Sequence, residues 1–62
     1  MEYVDRIFEI VKSESDGLDA VYRDFIIHLV GTTGMYALLD NNRVESCGVV
    51  NGRQLFTLCE EK

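Results

Sequence analysis

VESCGVVNGRQLFTLCE, Val44 to Glu60, is the stretch whose reading decides the fold. Two apolar, β-prone runs flank Asn51-Gly52, a dipeptide that suits both φ > 0 positions of a two-residue type I′ loop. The segment reads as a hairpin. With Asn51 and Gly52 as the whole loop, Val50 lies opposite Arg53, Gly48 opposite Leu55, Cys47 opposite Phe56 and Val44 opposite Cys59. Strand alternation then puts Val44, Val50, Leu55 and Cys59 on one face, and Cys47, Val49, Phe56 and Leu58 on the other. A ribbon apolar on both faces needs cover, and two strands alone are marginal in water. The same register sets Cys47 and Cys59 on opposite faces, too far apart for a disulfide.

The cover comes from upstream. Val4, Ile7, Phe8 and Val11 recur at helical spacing, with Asp5, Arg6 and Glu9 between them, so Tyr3 to Lys12 reads as an amphipathic helix. Early acids Glu2 and Asp5 and a late Lys12 suit its dipole. Ser13 to Gly17 breaks the pattern with turn and cap residues. A second helix is expected from about Leu18 to Val30, capped by Ser15 or Asp16, with Leu18, Val21, Tyr22, Phe25, Ile26 and Leu29 as its apolar stripe. His28 sits at the edge of that stripe and has no second ligand at metal spacing.

Gly34 to Asn42 admits two readings. As a helix it is capped by Thr32 or Thr33, buries Met35, Leu38 and Leu39, and ends in a left-handed Asn41 or Asn42. As a strand, Met35 to Leu39 adds to the hairpin through a turn at Asp40-Asn41-Asn42. Helix is preferred, because Ala37 and the two leucines are good helix formers and no β-branched residue falls between Gly34 and Asn42. The fold class expected is α+β, three helices followed by a C-terminal hairpin. The alternative is two helices and a three-stranded antiparallel meander.

Sixty-two residues make one domain, near the lower limit for unaided folding. Two cysteines and one histidine offer little for a disulfide or metal staple, which leaves self-association as the reinforcement to expect. No apolar run approaches the length of a membrane span, and the N-terminus lacks the pattern of a signal peptide, so a reduced, cytoplasmic protein is expected. Net charge is −5. Residues 1–31 hold seven acids against three bases, whereas residues 32–62 hold four against three, so the acidity is N-terminal. An extended nucleic-acid groove, which needs clustered bases, is disfavoured; a small docking face near the C-terminal end is compatible with this balance.

With the helical choice, the segment HLVGTTGMYALLDNNRVESCGVVNGRQLFTLCE resembles a winged-helix DNA-binding domain over roughly residues 18–59. Val30-Gly31 matches the apolar-Gly turn before the recognition helix. Leu38 and Leu39 match its inward residues, Arg43-Val44-Glu45 the start of the first wing strand, and Asn51-Gly52-Arg53 the wing tip. The resemblance implies a small transcriptional regulator that reads duplex DNA through Thr32, Thr33, Tyr36, Asn41, Asn42 and Arg43, with Arg53 reaching the backbone or minor groove. Three features depart from the pattern. Ile27 stands where a small residue is usual, the recognition helix is short and has no base before Arg43, and the chain is acidic.

Two bases per copy give weak phosphate neutralisation, so a homodimer would be needed for useful affinity. The competing class is an acidic protein-interaction adaptor or anti-regulator, self-associating or docking on a basic or apolar partner. No enzyme, cofactor, metal or small-molecule substrate is expected. Asp16 and Asp19 are explained by capping, and neither cysteine has a motif-spaced histidine to activate it.

Overall fold

A computed structural model describes residues 2–59. The tail acids Glu60 and Glu61, with Lys62, lie outside the described residues. Helix α1 spans Tyr3–Ser15. The spacing of its apolar residues decides its buried face: Ile7, Phe8 and Val11 are enclosed and Val4 packs against them. Asp16 ends it in the left-handed conformation (φ 54°, ψ 47°), its N–H donating to the Ser13 carbonyl at 3.3 Å. Ser15 is buried, and its hydroxyl donates to the Lys12 carbonyl at 2.9 Å. The cap residues therefore close the first helix instead of opening a second.

The expected helix from Leu18 is corrected at its start. Ala20–Tyr22 form a strand, β1, and helix α2 runs from Arg23 to Asp40. The reason is tertiary. Val21 is β-branched and Tyr22 aromatic, and the strand Arg53–Leu58 offers them an unpaired edge, so strand pairing overrides a helical period that Leu18 to Ile26 carry equally well. Leu18, expected in the core, is 62% exposed.

Three helices were also expected; among the described residues there are two helical elements, the second of which is two helices joined across a kink. Residues 23–40 form one helical element broken at Gly31, whose φ of 83° and ψ of 169° are non-helical. Gly34 to Asp40 is helical, the preferred reading of that segment. The break folds Val30 over Gly34, leaving no room for a Cβ there: one would lie 2.8 Å from Val30 Cβ and Cγ2.

The hairpin is strands β2 (Val44–Val50) and β3 (Arg53–Leu58), joined by Asn51 (φ 54°) and Gly52 (φ 76°) as a two-residue loop of the expected sign. Pairing follows the expected register from Val50↔Arg53 to Gly48↔Leu55 and then slips. Cys47 is bulged out, so Ser46 faces Phe56 and Val44 faces Leu58, not Cys59. A one-residue bulge exchanges the two faces of the strand beyond it. Here it moves Val44 to the side of Phe56 and Leu58, turning a two-sided apolar ribbon into one with a defined core face.

The sheet order is β1-β3-β2, all antiparallel, with Val21 opposite Phe56. Among the described residues this is an α+β fold with two helical elements and three strands, the count of the alternative reading. Its third strand comes from Ala20–Tyr22 and not from Met35 to Leu39, so the strands do not run as a meander. Val21, Val44 and Phe56 meet Ile7, Phe8, Val11, Ile26, Met35 and Leu38 in one core. No helix among the described residues is long and apolar enough to cross a membrane.

Candidate nucleic-acid interface

The residues proposed to face DNA divide sharply. Thr32, Thr33 and Tyr36 are exposed on the arm of α2 after Gly31, the tyrosine at 52%. Met35 and Leu38 hold the opposite side of that arm in the core, fully buried. Burial of one side of a short amphipathic turn fixes which side is left to solvent. Asp40 is exposed on the same arm and puts a negative charge there.

Asn41 and Asn42 terminate the helix. The Arg43 N–H donates to the Leu38 carbonyl (2.9 Å) and the Asn42 N–H to that of Leu39 (3.1 Å), while Asn42 is left-handed at φ 59°. This pair of bonds around a left-handed residue is a Schellman motif. The Asn41 amide donates to the Ala37 carbonyl at 2.8 Å. Of the two asparagines, Asn42 keeps its exposed side chain for other contacts.

Arg43 is committed inside the molecule. Its Nη2 donates to Asp5 Oδ1 at 2.6 Å, its guanidinium lies 5.5 Å from the Phe8 ring centroid, and its side chain is only 18% exposed. A guanidinium that is charge-paired and lies over a ring would have to leave both to read a base. Its backbone carbonyl accepts from Cys59 N–H at 2.8 Å, which also holds the open end of the hairpin.

None of the protein-family models, curated proteins or solved structures compared with the chain matches it. The site must therefore be read from its own geometry.

Arg53, at the hairpin tip, is exposed and lies 4.3 Å from the Tyr22 ring centroid, with Nε 3.7 Å from Asp24 Oδ2. Both partners are on the surface, so the pairing is worth at most about 1 kcal/mol and yields readily to a phosphate. The structure thus brings Thr32, Thr33 and Tyr36 together on one arm and leaves Arg53 available at the tip. It withdraws Arg43 and the Asn41 amide.

Behind the helix end, Asn42, Val44, Glu45 and Cys59 line a shallow recess of about 310 Å³. The Cys59 thiol donates to Glu45 Oε1 at 3.8 Å, and its pKa is raised above the ordinary thiol value by desolvation first and by the Glu45 carboxylate second. A raised pKa disfavours the thiolate, the form in which a cysteine attacks an electrophile. No group of three or more His, Cys, Asp or Glu side chains among the described residues could hold a metal. Sequence reasoning missed the Arg43–Asp5 pair, which spans 38 residues, and no local signal announces it.

Proposed function

We propose that the chain is a winged-helix-like module that binds duplex DNA through Thr32, Thr33, Tyr36 and Asn42, with Arg53 steadying the complex from the hairpin tip. The observation that carries this reading is the arm after Gly31. It is anchored by Met35 and Leu38, presents hydroxyls and a phenol outward, and is followed directly by a hairpin with a basic tip. A helix held by its apolar side, with hydrogen-bonding groups outward, is the arrangement that major-groove readers use. The element order α1, β1, broken α2, β2, β3 with sheet order β1-β3-β2 supports the same assignment by analogy of form.

Charge limits the affinity. Arg53 is the described base at the tip and Asp40 opposes it on the reading arm, so a single copy binds weakly and a regulatory role requires two copies on neighbouring half-sites. Fluorescence anisotropy with a labelled pool of random-sequence duplexes at low ionic strength tests the proposal. Wild type is expected to bind, while Tyr36→Glu and Arg53→Ala each weaken binding and Arg43→Ala leaves it unchanged once folding is verified by circular dichroism. No anisotropy change at the lowest salt and the highest attainable concentration overturns the reading.

A further inference from the structure

The outward side of the arm after Gly31 carries an acid that the fold does not explain. At 3.6 residues per turn, Thr32, Thr33, Tyr36 and Asp40 fall within an arc of about 100°, opposite the buried Gly34, Met35 and Leu38. All four are exposed, and Asp40 lies inside the arc, one turn beyond Tyr36. It is also the last residue of α2, where the helix dipole disfavours a carboxylate, and no base stands in that last turn to offset it. Among the described residues its side chain has no ion pair and no hydrogen bond. Stability therefore gives no reason for an acid at this place.

Hydrogen-bond direction separates Asp40 from its neighbours. The hydroxyls of Thr32, Thr33 and Tyr36 and the amide of Asn42 both donate and accept, so each suits most base edges. A carboxylate only accepts. Phosphate oxygens accept as well and carry the same charge, so Asp40 gains nothing from the DNA backbone. In the major groove the donors open to it are the cytosine N4 and adenine N6 amines. The adenine amine lies between two acceptors, its own N7 and the O4 of the paired thymine, whereas the cytosine amine has an acceptor on one side, the guanine O6. Cytosine is thus the base that a carboxylate meets at least cost. Reach is no obstacle: Thr32 to Asp40 span roughly 12 Å, about the width of the groove.

We infer that Asp40 sets base preference on this face, selecting a cytosine at one position of the duplex by accepting from its N4 amine, while its charge suppresses binding to duplexes that lack one. The inference rests on the DNA-binding reading above and adds to it a specificity-determining residue and the base it reads.

In the test, wild type, Asp40→Asn and Asp40→Ala are each incubated with random-sequence duplexes at low ionic strength. Bound duplexes are recovered and sequenced, and affinities for single enriched duplexes are measured by anisotropy. Wild type is expected to enrich a C·G pair at one position. Replacing that pair by T·A, which exchanges the N4 donor for the O4 acceptor, should weaken binding about tenfold. Asp40→Asn is expected to move the preference there from cytosine to adenine, whose N6 and N7 suit an amide, and to bind the unselected pool more tightly because a charge facing phosphates is gone. Asp40→Ala should lose the preference at that position and keep those at others. By circular dichroism, Asp40→Asn is expected to melt no lower than wild type, since it removes a carboxylate from a helix C-terminus. A lower melting temperature would make Asp40 a structural residue and overturns the assignment. Identical base preferences in wild type and Asp40→Asn overturn this inference and leave DNA binding standing, whereas failure of wild type to retain any duplex overturns both.

Discussion

Arg43 shows how much a single placement changes. As a wing-strand base it is the natural candidate to bond guanine; as found, it ties the start of β2 to α1 through Asp5 and Phe8. Breaking a half-buried pair and a ring contact costs about 1–2 kcal/mol. Arg43→Ala is therefore expected to lower the melting temperature by roughly 4–16 °C for a domain of this size, as read by circular dichroism. Asp5→Ala should give a smaller fall, because it leaves the contact with Phe8. A drop in DNA affinity at unchanged stability would contradict this assignment. The cysteines separate in a similar way. Cys47 is exposed in the bulge, whereas at Cys59 desolvation first and the neighbouring Glu45 carboxylate second disfavour the thiolate. Iodoacetamide at mildly alkaline pH is expected to alkylate Cys47 first, with Glu45→Gln accelerating modification at Cys59, both read by peptide mass. Equal rates at the two sites in the wild type would show that exposure and Glu45 have no such influence.

Among the elements, the break in α2 is the most demanding conformation. At φ 83° and ψ 169°, Gly31 occupies a region that is essentially restricted to glycine, and any side chain there costs on the order of 1–3 kcal/mol. Gly34, one turn on, is constrained by space: an added Cβ meets Val30 at 2.8 Å. Gly31→Ala and Gly34→Ala should each destabilise by about 1–3 kcal/mol in urea titrations, the first by strain and the second by overpacking. Val30→Gly, which removes both the Cβ and the Cγ2 that an added Gly34 side chain would meet, should relieve the second and not the first. Val30→Ala keeps the Cβ contact and should relieve neither. Relief of both by Val30→Gly would show that crowding, not backbone strain, limits Gly31.

These elements also mark the limit of what a sequence tells. The Asn51-Gly52 loop, the stripe of α1 and the inward Met35 and Leu38 follow from local chemistry and were legible. The slip at Cys47 was not, because a bulge answers to where Val44 must point, and that depends on the helices beneath. Strand β1 was hidden for a similar reason: three residues gain their hydrogen bonds from β3, more than thirty positions away. Of the candidate site, Thr32, Thr33 and Tyr36 could be read as an outward face once the helix was placed. The withdrawal of Arg43 could not, since its partner Asp5 lies 38 residues away.

At the scale of the whole molecule, charge sets the test of function. Affinity for duplex DNA falls with salt in proportion to the number of phosphates neutralised, with a slope of about −0.9 per contact in a double-logarithmic plot. With Arg43 committed to Asp5, and Arg53 shared with Asp24 at the tip, each copy can offer one or two such contacts. The expected slope is therefore about −1 to −2 for one copy and about −2 to −4 for two copies on one duplex. Nonspecific attraction of that size is small, so discrimination has to come from the polar groups on the arm after Gly31, whose hydrogen bonds are largely insensitive to salt. Titrations of labelled duplex across a tenfold salt range, at two protein concentrations, measure both quantities. A slope steeper than about −4 would require bases that this face does not present, and would move the DNA contact to another surface of the molecule.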